Sequence, residues 1–360
     1  MSKAAELAAL IGSGQAQGNK NLVINGAMQV AQRGTSGTQA SNYPSLDRWF
    51  FQESGVSYTA AQVDVSGTPT DYGFTKSMKI TNTAVGSNTA SDYLFFAQRI
   101  EGQNIRNSGW DYQDSNKFLV YSFWAKSSLA GTYLAGVQAG NGEGVFNQAF
   151  TLVADTWTKV KFSVPGRSSL TATGVPNTNA QGWEFRVILH WGTNYTTSGT
   201  AQNQWINWDS AARADDFSQN WIAASGATFE ITGCQLEVGE VATPFEHESY
   251  AATLQKCQRY HTRIEKASGQ TYSSTAAVFC GVFPTEMRTS PTGSLSGALT
   301  IGQLGIAGTK TQSSSNIALS ASTNSASVFN AECSNFSSLT THQAAAVAGS
   351  TQPIIFDSEL

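Results

Sequence analysis

The chain has 360 residues, room for one large β domain with a smaller companion, and its 40 % apolar share can fill a core. Charged residues make up only 13 % and the net charge is −4, with no Lys/Arg cluster, which excludes a reader of duplex nucleic acid. No run of 18 apolar residues offers a membrane-spanning helix, and no charged, apolar secretory signal opens the chain.

The first segment, "SKAAELAALIGSGQAQGNK", predicts a helix over about residues 2–11, with Ala4, Leu7, Leu10 and Ile11 on one stripe and glycines that stop it. Ten residues are too few for a helix to hold itself in water. It must pack on its own domain, on symmetry copies or on a partner. Gly12, Gly14 and Gly18 follow a helix rather than a strand, so they are not a dinucleotide-binding loop.

From Asn21 to about Glu246 the pattern is strands. "RWFFQES", "KSMKITN" and "YLFFAQRIEG" are strand candidates. "KFLVYSFWAKSS" sets Leu119, Tyr121, Phe123 and Ala125 on one face, and "TWTKVKFSVPG" sets Val160, Phe162 and Val164 inside. "EFRVILHWG" sets Phe185, Val187, Leu189 and Trp191 on one face. In "FEITGCQLEVGEVATPFE" the apolar phase runs through Phe229 and Ile231, then resumes one residue late at Cys234, Leu236 and Val238. A β-bulge at Gly233 accounts for the slip, and Pro244 for the end of the extended run. Many short strands without long helices predict an all-β, antiparallel jelly-roll sandwich over 21–246.

Tyr250, Leu254 and Cys257 recur at helical spacing, giving a connecting helix over 247–257. Composition then shifts. Only eight charged side chains follow Ile264, and Ser, Thr, Ala and Gly dominate. "STAAVFCGVFP", "GALTIGQLGIAG", "NIALSAST" and "QPIIFDSEL" retain enough β-branched and aromatic residues for a smaller C-terminal β domain over 258–360, with its core closed alone or by neighbouring subunits.

Catalytic signatures are sparse. His247 lies in "EHES" without the second histidine of a zinc hydrolase, and no GxSxG elbow occurs. The cysteines Cys234, Cys257, Cys280 and Cys333 form no CxxC pair and are expected free. Carboxylates such as Asp209, Asp215, Asp216 and Glu230 could flank a glycosidic bond only at a fixed separation, and solvated loop carboxylates are the expected reading. No enzyme activity, metal or cofactor is expected. The tryptophans are more informative. "HWGTNYTTSGTAQNQWINWDS" brings Trp191, Trp205 and Trp208 close in sequence to Asp209 and several amides. Two readings stand open: these rings fill the sandwich core, or they form a platform on which sugar C–H faces stack while Asp209 binds hydroxyls.

"NLVINGAMQVAQRGTS", "LDRWFF", "QRIEG", "YSFWAKSS", "TWTKVKFSVPG" and "ITGCQLEVGEVATPFEHESYAATLQKCQRY", in this order, resemble fibre and related virion proteins of tailed bacteriophages, especially those of marine and cyanobacterial hosts. The resemblance covers about Lys3 to Tyr260, and more weakly "VFPTEMRTSPT" and "IIFDSEL". It implies a jelly roll similar to carbohydrate-binding modules, in a homotrimer folded in the host cytoplasm and displayed on the virion. Residues 1–20, through Leu7, Leu10 and Ile11, would attach it to other virion proteins, a tail adaptor, nozzle or capsid. Residues 258–360 would form the distal tip meeting a host surface polysaccharide. A neutral or polar glycan is the expected target. The alternative is a structural role as head fibre, decoration or tail adaptor protein. A depolymerase ranks last.

Overall fold

The computed structural model describes residues 20–39, 42–320, 323–348 and 353–360. The helix expected over 2–11, with Leu7, Leu10 and Ile11, lies outside them. The chain forms two compact units, one running to Ser249 and including Leu360, the other spanning Tyr250–Glu359.

The larger unit is built from β1 (Ser36–Thr38), β2 (Phe50–Ser54), β3 (Tyr58–Asp64), β4 (Lys76–Asn82), β5 (Tyr93–Glu101), the short helix α1 (Gly102–Arg106), β6 (Phe118–Ser127), β7 (Gly131–Ala139), β8 (Val145–Leu152), β9 (Thr158–Pro165), β10 (Gln181–Trp191), β11 (Trp205–Ile206) and β12 (Thr228–Val238). They form two six-stranded sheets, β1-β3-β4-β12-β6-β9 and β11-β8-β7-β10-β5-β2, and the named strand pairs are antiparallel. Successive strands mostly change sheet, as in an antiparallel jelly-roll sandwich.

The alternation read from the sequence decides the core. Leu119, Tyr121, Phe123 and Ala125 of β6 meet Val160, Phe162 and Val164 of β9 and Phe185, Val187 and Leu189 of β10 in one buried cluster. Phe229, Ile231, Cys234 and Leu236 of β12 join it, two on each side of the phase slip. The β12–β6 register shifts between Thr232 and Gln235, and Gly233 adopts φ 65°, the left-handed conformation that glycine tolerates without strain. A Cβ at Gly233 would lie 2.6 Å from Phe74 Cζ, so that ring packs where a side chain would stand.

One expectation is corrected. Trp191 does not share the core face with Phe185, Val187 and Leu189. The β10–β5 pairing shifts between Ile188 and His190, and the extra residue turns Trp191 to the opposite face, into a second cluster with Phe50, Phe95, Leu134 and Ile188. This second sheet is therefore buried on both sides. The segment 192–220 supplies Tyr195, Ala214 and Phe217 to the outer cluster.

The smaller unit opens with α2 (Tyr250–Gln258), which buries Thr253 and Cys257. Tyr250, expected on its apolar stripe, is exposed. There follow β13 (His261–Ile264), β14 (Ser268–Thr271), β15 (Ala277–Val282), β16 (Thr292–Leu295), β17 (Thr300–Gln303), β18 (Thr309–Thr311), β19 (Ile317–Leu319), β20 (Val328–Cys333), β21 (Ala344–Val347) and β22 (Ile354–Asp357). They make a three-stranded sheet, β13-β22-β16, and a seven-stranded one, β18-β17-β21-β14-β15-β20-β19. Phe279, Phe283, Phe329, Phe336, Ile354 and Phe356 anchor its own core. All four cysteines are free; Cys280 is exposed and the others are buried.

Candidate functional site

The outer face of the second sheet carries a cluster of rings and charges. Strand alternation places Arg186 in one cross-strand row with Ala97, Phe50, Gly136 and Asn147. The adjacent row holds Arg99, Glu184 and Gln138. Gly136 leaves a dent between Arg186 and Asn147, since a Cβ there would strike the Asn147 side chain. Asn147 uses the opening. Its Nδ2 donates to the Arg213 carbonyl at 2.7 Å and pins the crossing segment to the sheet.

The crossing segment contributes the other half of the site. Arg213 N–H donates to the Tyr195 carbonyl at 2.9 Å, and Thr197 N–H to the Ala214 carbonyl at 3.0 Å, which holds the two ends of the loop together. The Arg213 guanidinium carbon then lies 4.5 Å from the Tyr195 ring centroid, 4.6 Å from Trp208 and 5.9 Å from Trp191. Arg186 lies 5.1 Å from the Phe95 ring and 5.8 Å from Trp208. These are cation–π distances. Trp208 keeps 37 % of its surface in solvent, whereas Trp191 is buried.

Electrostatics separate the three arginines. Glu184 is shared, with Arg99 Nε 3.0 Å from one oxygen and Arg186 Nε 2.5 Å from the other. Burial works against its charge, but Arg186 and Arg99 outweigh burial and hold the carboxyl below the usual range. Arg213 has no carboxylate partner among the described residues. Burial first, and repulsion from Arg186 second, draw its pKa below the usual arginine value. Four polar atoms in and under the platform are buried without a hydrogen-bond partner: Gln138 Oε1, Asn147 Oδ1, Trp191 Nε1 and Arg213 Nε.

A cavity of about 450 Å³ adjoins the platform through Trp191 and Phe217. Asn88, His190, Asp216 and Gln219 also line it. Asp216 Oδ1 accepts from the Thr196 hydroxyl at 2.6 Å. His190 is pushed down to about 4 by burial, with Asp92 opposing only in part, so the imidazole is neutral at pH 7.

The structure thus brings Trp191 and Trp208 together through Arg213. Trp205 is elsewhere. Its ring lies edge-on to Phe146 and Trp183 of the sandwich core, and its Nε1 donates to the Pro165 carbonyl at 2.8 Å. Asp209 is exposed beside Trp208, and its Oδ1 caps the Ala211 N–H at 2.8 Å. The sequence reading missed Arg99, Glu184, Arg186, Arg213 and Tyr195. The signal was in "EFRVILHW": if Phe185 and Val187 face the core, Glu184 and Arg186 share the other face beside Ile188. Among the described residues no group of three His, Cys, Asp or Glu converges to hold a metal.

No family model matches the chain, and no curated protein does. Solved structures overlap its β fold. The enzymatically active domain of bacteriophage CBA120 tailspike protein 4 matches at 13 % identity and TM-score 0.34, over 61 % of this chain and 22 % of the tailspike chain. A CBM4 structure matches at 15 % identity and TM-score 0.30, over 60 % of this chain and 98 % of the other. The xylan-binding CBM22-1 domain of Paenibacillus barcinonensis Xyn10C matches at 9 % identity and TM-score 0.27, over 63 % and 99 %. At these TM-scores the likenesses decide nothing about the site, whose chemistry rests on the side chains above.

Proposed function

We propose that the protein is a non-enzymatic glycan-binding protein that recognises a saccharide on the outer face of its second sheet. One observation carries this reading: Trp208, Tyr195 and Arg213 are stacked on that face, with Trp208 more than a third exposed. An aromatic ring offers a flat apolar surface to sugar C–H groups, while fixed polar side chains set the orientation of the hydroxyls. A glycan array followed by titration calorimetry tests the reading. Trp208→Ala should weaken binding at least tenfold; an array without hits, or an unchanged affinity, would overturn it.

The resemblance of the ordered motifs to fibre proteins of tailed phages extends the proposal. The protein acts as a homotrimeric fibre on the virion surface, tail or capsid, attached through residues 1–20 to neighbouring virion proteins. Weak sites on several copies then add up through effective concentration. Light scattering should give three times the chain mass of 38.3 kDa. Phage carrying Trp208→Ala should assemble and fail to adsorb. Normal adsorption would favour a decoration or adaptor role instead.

A further inference from the structure

We propose that the platform selects an acidic saccharide, one whose ring carries a carboxylate or sulfate group, and that Arg213 pairs with that group. The inference rests on the glycan reading above and narrows it; composition alone had pointed to a neutral target. Three guanidiniums, Arg99, Arg186 and Arg213, share one sheet face with Glu184, and Arg99 Nη1 also donates to a Leu360 carboxylate oxygen at 2.6 Å. Glu184 spends both oxygens on Arg99 and Arg186. With the Leu360 carboxylate on Arg99, one positive charge of that group is left unbalanced. Arg213 is the guanidinium without an acid, and its Nε is buried without a hydrogen-bond partner.

Nearby acids do not take up the excess. Asp216 is held by the Thr196 hydroxyl, and Asp215 Oδ1 accepts from the Gly199 and Asp216 N–H groups. Asp92 is buried and closed by Ser87 and Thr89. A neutral core would not collect guanidiniums that repel one another across a tryptophan, as Arg186 and Arg213 do. An anion bound there relieves that repulsion. The planar fork of arginine matches the paired oxygens of a carboxylate or sulfate, and Tyr195 and Trp208 flank it with ring surface for the sugar itself.

The test uses matched pairs on the full chain: oligogalacturonate with its carboxyl-reduced form, and κ-carrageenan oligosaccharide with its desulfated form. Calorimetry should show at least one acidic member binding tenfold or more tightly than its neutral counterpart. The preference should shrink as sodium chloride is raised. Arg213→Gln should abolish the preference, read as the ratio of the two members' affinities on the variant itself. The acidic arm that binds distinguishes carboxylate from sulfate. Equal binding of acidic and neutral members overturns the proposal and leaves the glycan reading standing. Binding by neither member of either pair overturns the proposal, and the array then decides the broader reading. Should Arg213→Gln disturb folding, seen as a shifted tryptophan spectrum, the salt dependence of the unaltered protein still decides: a preference insensitive to salt refutes an ionic contact.

Discussion

Replacing Gly233 with alanine probes the bulge that re-phases β12. Two separate costs follow from the structure. At φ 65° any residue with a Cβ pays roughly 1–2 kcal/mol for the left-handed conformation. The new methyl would also stand 2.6 Å from Cζ of Phe74, a buried ring packed on Phe245 and His247 at centroid distances of 4.9 and 5.1 Å. Displacing a ring in a filled site adds about 1–3 kcal/mol. The expected loss is about 2–5 kcal/mol, a fall of about 0.7 M or more in the urea midpoint at ordinary slopes of roughly 1–3 kcal/mol/M. Tryptophan fluorescence is the right probe, because all nine tryptophans fall between Trp49 and Trp221, in the larger unit. Gly226 supplies the control. It has φ 81° with nothing within 4 Å of a Cβ, so Gly226→Ala carries the backbone cost alone. If Gly233→Ala is no more destabilising than Gly226→Ala, the steric half of the reasoning is refuted.

Three further outcomes follow from the same structure. His190 has a folded value of about 4 against about 6.5 unfolded, so the unfolded chain binds the extra proton and stability falls as pH drops from 6.5 to 4. The loss reaches about 3 kcal/mol by pH 4, and a His190→Gln variant should melt with a flatter pH profile over that window. Lys159, lowered to about 8 by burial, should acetylate ahead of the other lysines at pH 8; uniform labelling in peptide mapping would contradict its setting. Asn147→Ala removes the bond that pins the crossing segment, so proteolysis within 192–220 should accelerate while overall stability falls by only about 1 kcal/mol; unchanged cleavage would show that the segment is held elsewhere.

The sandwich was legible because its main strands alternate cleanly. β6, β9 and β12 each carry their core residues at period two, and even the β12 bulge was marked by a glycine and a phase slip. β7 and β8 were harder: "GTYLAGVQA" and "VFNQAFTL" mix glycine, amides and small residues, since one face of each meets the core and the other the platform. The bulge near His190 left no such mark. It lies among Ile188, Leu189 and Trp191, all apolar, so the turn of Trp191 to the other face could not be read from alternation. The platform was partly legible for a related reason. Trp191 and Trp208 were singled out by residue type, but Arg213 meets them only because Asn147, 66 positions away in the chain, fastens its carbonyl.

The placement of β22 has a consequence for how the molecule is made. β22 lies between β13 and β16, pairing with both. The larger unit has emitted its last strand once Val238 is synthesised, and can condense while the ribosome is still at work. The smaller unit must wait for Ile354–Asp357, because its three-stranded layer is missing the middle rather than a border until then. Nascent chains stalled before residue 354 should therefore carry a finished first half and an unclosed second half, which makes premature termination or tail trimming far more damaging than its few residues suggest.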